Sequence, residues 1–430
     1  MINMTKIIKL SRFFLLVSVS TIFLDKIQIM GLLKISNFFL LISFLLFIFY
    51  ILKEKINIWQ EKKLIYPIVL FFGIILISTT YSLITFKNLQ ILEIIKGLIS
   101  ISVNLFIFIE IIILSKNDNT LPNKILISFL FSLLIIPFIY IPEINKYFLF
   151  ASSRFEGLLN GPNYFAIFQI IPTLLILFFI MKENSKKIIQ ITFSILFCLS
   201  IGLILWSGSR GGMLGLITSF ILLIFLLFYS IPKKKLLGVI FLIIISFPVG
   251  FYIIPQKSQQ NITARIEKVQ IVKSYTLNDN TDNKIPNTKR IVFFTDISSG
   301  QDRLNIWKNS LYFIVQNPLG YGYTYNNIIN IKGDKTEHRV SHNLELQILL
   351  TGGVGLFIII NLFLLNLIIK SLNNCYKQKF NEIHIMLPIL TGTLVSSIFL
   401  DSLFFRFIWI IMALIITYNR QIDHHKKNEL

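Results

Sequence analysis

GGMLGLITSFILLIFLLFYSIPKKKLLGVIFLIIISFPVGFYII, residues 211–254, is two apolar runs around a single short break that holds Pro232 and three lysines, Lys233 to Lys235. Each run is about twenty residues, which as a helix rises about 30 Å and matches the hydrocarbon core of a bilayer. The rest of the chain repeats this pattern. Of 430 residues, 54% are hydrophobic and 14% charged, and mean hydropathy is +0.73. Soluble domains carry roughly 25% charged residues, so the polar side chains needed to cover a water-facing surface are missing. A soluble enzyme, a DNA-binding protein and a secreted disulfide scaffold are excluded. The fold class is all-α, a polytopic integral membrane protein.

Length and punctuation predict twelve spans: 11–30, 35–52, 64–86, 91–115, 122–142, 163–182, 187–206, 211–231, 236–254, 345–370, 383–401 and 403–419. Lys6, Lys9 and Arg12 precede the first run as in a signal peptide, but no small-residue cleavage site follows. It is read as an uncleaved helix, interrupted by Asp25 and Lys26. In the fourth span, Glu93, Lys96 and Glu110 are assigned to span ends, where side chains snorkel and pair at helical spacing. Cys198 falls in an apolar run and Cys375 in a Lys-rich loop, so no structural disulfide is expected.

Lysines orient the spans. Lys53, Lys55, Lys62 and Lys63 share one loop; Lys182, Lys186 and Lys187 another; Lys233 to Lys235 a third; Lys370, Lys377 and Lys379 a fourth. Lys426 and Lys427 add to the tail. With twelve spans these loops share one side, and positive loops stay in the cytoplasm, so both termini are predicted inside. The net charge of +20 then reflects topology and contact with anionic membrane lipids, without nucleic acid. The chain divides into spans 1–5 (residues 1–150), spans 6–9 with their motif loops (151–254), a large outer loop (255–341), and spans 10–12 with the tail (342–430). That loop is too long for a bare connection. Its tract 273–289 reads as a mobile excursion, and apolar spacing from Arg303 to Val315 predicts an amphipathic helix on the membrane. Asn317-Pro318-Leu319-Gly320-Tyr321-Gly322 ends it.

Only nine of the 41 basic residues are arginines. Arg12 and Arg420 are assigned to the cytoplasm and Arg406 to the last span. Arg154, Arg210, Arg265, Arg290, Arg303 and Arg339 all fall outside, against the topological bias. Guanidinium grips phosphate oxygens bidentately and stays charged when partly buried, which favours arginine over lysine there. Arg265 and Arg290 are read as ordinary surface arginines. Arg210 lies in Ser207-Gly208-Ser209-Arg210-Gly211-Gly212, where small residues allow close approach and a helix begins. An incidental arginine in a tight turn is the alternative, but this combination favours an anion site. His342 opens another span; alone, such a histidine is more often structural than catalytic.

Taken together, four segments occur in an order that resembles the bacterial O-antigen ligase and polymerase family. They are Arg154 to Ala166 (RFEGLLNGPNYFA), Ser209-Arg210-Gly211-Gly212, Asp302 to Trp307 (DRLNIW) with Asn317 to Gly322, and His342 to Gln347 (HNLELQ) with Gly352, Gly353 and Gly355. The resemblance covers residues 150–360; the first five spans share only hydropathy. It implies a glycosyltransferase of the inner membrane that takes glycans from undecaprenyl diphosphate, with no cofactor and no metal. The acceptor is lipid A–core in the ligases and a lipid-linked repeat unit in the polymerases; the motifs lean towards ligase. By the same resemblance Arg210 and Arg303 hold the donor diphosphate and His342 assists transfer, with Arg154, Asn163 and Arg339 as secondary candidates. The chain departs in having Asp302 directly before Arg303, where many relatives have Gly, and Gly161 before Pro162, where Asn is common.

The chemistry fits these residue types. A lipid diphosphate already carries its leaving group, whose growing charge two arginines stabilise without a metal. No Asp-x-Asp metal motif occurs in the outer segments. A neutral imidazole can take the acceptor proton, worth ~10²–10⁴-fold. A transporter is the competing class and predicts charged or broken helices at mid-bilayer, in two related halves, which the sequence does not suggest. A structural membrane-assembly protein would not need arginines placed against topology.

Overall fold

The computed structural model describes residues 4–29, 33–56, 62–85, 91–135, 154–159, 161–182, 187–256, 258–260, 263, 297–324, 341–400 and 405–429. Its helices are α1 (Met4–Ser20), α2 (Ile35–Glu54), α3 (Lys62–Thr85), α4 (Ile91–Lys116), α5 (Leu121–Leu130), α6 (Pro162–Met181), α7 (Lys187–Ser207), α8 (Arg210–Ser230), α9 (Lys233–Ile253), α10 (Ile297–Gln316), α11 (Leu344–Lys377), α12 (Ile383–Ser397) and α13 (Arg406–Glu429). Each of the twelve apolar segments contains a helix, and α10 covers the expected amphipathic one. Eight helices are long and apolar enough to cross a membrane among the described residues: α2, α3, α4, α6, α7, α8, α9 and α11. The tract 273–289 lies outside the described residues.

Three local expectations need correction. The first helix stops at Ser20 instead of running to 30, because Asp25 is buried and held from elsewhere. Lys34 Nζ and Ser36 Oγ donate to its carboxylate at 3.0 and 2.9 Å. The chain therefore turns through a 3₁₀ segment, Ile22–Leu24, and a hairpin that pairs Gln28 with Lys34 and Ile29 with Leu33. Glu110 does not snorkel: it is fully buried inside α4, where Ser11 of α1 and Ser43 of α2 donate to it at 3.1 and 2.5 Å. Cys375 is a buried residue of α11 and not of a loop, and both cysteines are free.

α6 forms the centre of the bundle; 83% of its span is buried, against 22% for α2. Both helices are apolar on every side, which suits a helix facing lipid as well as one packed among others. The few polar groups of α6 pair internally: Gln169 Nε2 donates to Ser200 Oγ of α7 at 2.7 Å, and Thr173 Oγ1 lies 2.6 Å from the same oxygen. α8 packs on α12 through small residues. Gly211, Gly215 and Ser219 meet Ser396, Gly392 and Pro388, with Ser396 Oγ donating to Gly211 O and Ser219 Oγ to Pro388 O. In lipid, where apolar side chains gain nothing by leaving solvent, such close backbone approach is the main source of helix attraction.

α11 is broken. Gly352 and Gly353 leave helical geometry, Gly353 at φ 66°, ψ −164°. The sequence reading saw no broken helix, and this one lies roughly two turns below the start of α11.

Candidate active site

The motif residues fall into two side-chain assemblies, one at the ends of α6, α7 and α8 and one that joins α10 to α11. Residues 154–159 form the first tie. Phe155 N donates to Trp206 O at 3.3 Å, and the fully buried Phe155 ring packs on Trp206 and Phe165 with centroids 5.1 and 4.8 Å apart. This anchorage aims Arg154 at protein partners. Its Nε donates to Ser207 O at 2.6 Å and its Nη2 to Asn163 Oδ1 at 2.9 Å. The secondary candidates Arg154 and Asn163 are therefore brought together, and they join the start of α6 to the end of α7.

Three residues after Ser207, Arg210 begins α8. Ser209 is the N-cap, its hydroxyl accepting from Gly212 N at 3.1 Å. The positive end of the helix dipole and the Arg210 guanidinium thus share one place, which suits an anion. The neighbouring glycines have a second use. Gly212 faces Ala166 of α6, and Gly211 faces Phe399 and Ser396, so an added Cβ would crowd each. Helix packing already requires the smallness that the sequence suggested for ligand approach.

The second assembly joins α10 to α11. Phe313, Ile314 and Tyr321 pack on Leu346 and Leu350. The Asn317–Gly322 turn then enters the break in α11: Tyr321 N donates to Leu350 O at 2.7 Å and Val354 N to Pro318 O at 2.9 Å. Gly320, at φ 80°, lies against the Gly352–Gly353 backbone with no room for a side chain. The same turn reaches α3, where Ser78 Oγ donates to Leu319 O at 2.7 Å. Tyr321 donates its hydroxyl to Phe313 O at 3.0 Å; burial, with Tyr81 and Tyr312 adding to it, pushes its phenol up, so it remains a donor.

Trp307 ties this assembly to His342. Its Nε1 donates to Ser341 O at 3.0 Å, and Ser341 is buried. Arg303 lies one helical turn before Trp307 on α10. His342 itself has φ 48°, left-handed and unusual for a residue with a side chain. It is held there by anchored neighbours: Asn343 caps α11, its side chain accepting from Leu346 N at 3.0 Å, and Ser341 Oγ donates to Asn343 O at 3.2 Å. Strain maintained in this way is typical of functional positions. Arg339 lies outside the described residues.

Residues 195–360 match the O-antigen ligase family model. This segment thus resembles an O-antigen ligase domain, and the apolar helices point to a multi-pass bacterial membrane protein. The domain takes in Arg210, Arg303, Arg339 and His342, and it starts after Arg154 and Asn163. No curated protein matches the chain. Sequence reasoning missed Trp307, Glu156 and Tyr164 as structural anchors.

Proposed function

We propose that the protein transfers a glycan from undecaprenyl diphosphate to an acceptor hydroxyl at the periplasmic face of the inner membrane, as an O-antigen ligase, with lipid A–core as acceptor and no metal. Twelve spans, cytoplasmic termini and a periplasmic segment 255–341 belong to this reading. The observation that carries it is the Trp307–Ser341 hydrogen bond, which fastens the helix bearing Arg303 beside His342 within the matched segment. The acceptor oxygen attacks the anomeric carbon, the bond from that carbon to the diphosphate oxygen breaks, and undecaprenyl diphosphate leaves. Arg210 and Arg303 neutralise its growing charge, and His342 accepts the hydroxyl proton. An apolar cleft lined by Leu344, Ile348, Phe363, Phe71, Phe108 and Trp409 begins two residues after His342, and we assign it to the polyprenyl tail.

The test is transfer by the purified full chain, supplied with an undecaprenyl-diphosphate-linked oligosaccharide and lipid A–core. Arg210→Lys and Arg303→Lys keep charge but lose the bidentate grip, so each should lower the rate by about 10²-fold. Wild-type rates in both variants would remove the diphosphate roles. In cells, deletion should leave polymer on the lipid carrier and none on lipid A; single repeat units on lipid A would assign polymerase activity instead.

A further inference from the structure

Asp25 and Lys26 break the first apolar run, and Arg406 is a lone cation at the start of the last helix; all three lie outside residues 195–360. The fold gathers them against the 154–159 segment and the start of α6. Lys26 N donates to Leu158 O at 2.8 Å, and Lys26 Nζ pairs with the Glu156 carboxylate. The Tyr164 hydroxyl faces the charges of Asp25 and Arg406, and its ring packs between Phe405 and Phe407, with centroids 4.4 and 5.7 Å away. Arg406 Nη1 donates to Ser36 Oγ at 3.0 Å and Nη2 to Asn37 Oδ1, while Ser36 donates to Asp25. Glu156 and Asp25 are both buried, so removing a partner strands a carboxylate.

These contacts grip both sides of Arg154. Glu156 and Leu158 follow it in the same segment, and Tyr164 follows Asn163, the residue that Arg154 bonds. Arg154 in turn bonds Ser207 O, three residues before Arg210. We propose that the Asp25–Lys26 turn, braced by Arg406, positions the diphosphate site: it fixes residues 154–159 and 161–164 and, through Arg154, sets the place of Arg210. This rests on the functional reading above, in which Arg210 binds diphosphate. The three residues act through others and do not touch substrate.

The experiment measures binding of undecaprenyl diphosphate to the full chain in lipid nanodiscs, together with thermal stability. Tyr164→Phe removes one hydroxyl and keeps the ring, so the fold should persist. Positioning predicts a dissociation constant raised about tenfold at near-normal melting temperature, since small misplacements of a binding group carry such costs. Lys26→Glu should do the same or more, and the exchange Lys26→Glu with Glu156→Lys should restore affinity. Wild-type affinity in both Tyr164→Phe and Lys26→Glu, while Arg210→Ala still abolishes binding, overturns the positioning role and leaves the diphosphate reading intact. A lowered melting temperature with unchanged affinity also overturns it, because a purely structural brace behaves that way. If wild type and Arg210→Ala bind equally, the diphosphate reading itself fails.

Discussion

His342 owes its unusual backbone to its neighbours, and this separates its possible roles. Ser341 is fixed by Trp307 and Asn343 by the α11 cap, so neither needs the imidazole for its own place. Replacing the ring should leave the local fold unchanged. His342→Gln is therefore expected to fold normally, bind donor normally and transfer at a rate lower by ~10²-fold or more, because only proton acceptance is lost. The helix dipole of α11, positive at this end, favours the neutral ring that a base needs. Single-turnover transfer with donor binding tests this. Near-normal transfer removes the catalytic role, and a loss that vanishes at saturating donor makes His342 a binding residue. Arg154 was a secondary candidate on sequence, and its guanidinium spans a backbone carbonyl and an asparagine, partners that no local pattern announces.

Among the elements, α11 departs furthest from a plain span. Its break accepts the Pro318–Tyr321 turn, and Gly353 has a backbone conformation that a residue with Cβ adopts only at a cost of about 1–3 kcal/mol. A Cβ there would also strike Pro318 O and Leu319. Gly353→Ala should lower the melting temperature and displace the turn, read as faster proteolysis near residue 320. Gly355→Ala is the control: its Cβ would meet nothing within 4 Å, and alanine favours a helix by up to about 1 kcal/mol, so stability should hold or rise. Equal losses in both variants would show that the turn does not depend on this conformation. The helices were legible because an apolar run of about twenty residues admits few other structures. The break was visible only as a glycine pair, since what stabilises it is a turn some thirty residues earlier. The early end of α1 was hidden for a similar reason: the partners of Asp25 are Lys34 and Ser36, beyond the turn that follows it.

At the scale of the whole molecule, charge asymmetry and site position make one claim from independent features. α8 begins with Arg210 and its cap, and its far end leads to Lys233, Lys234 and Lys235 at the start of α9. α8 is 21 residues long, so these cationic groups lie about 30 Å apart along the helix, one set at each end. Lysine clusters at membrane helix ends remain in the cytoplasm, which would put Arg210 and the motif turn outside. α9, also 21 residues, would then return the chain to the outer side before residue 255. A reporter fused after Lys235 should accordingly give a cytoplasmic signal and one near Asn280 a periplasmic signal, with a fusion at the C-terminus cytoplasmic again. The same signal from the first two fusions would mean that α9 does not cross. Opposite signals in the reverse sense would preserve the crossing but place Arg210 and His342 in the cytoplasm. In that compartment nucleotide sugars are at hand and a lipid diphosphate donor has no special advantage, so the reversed result would remove the functional reading while leaving the fold untouched.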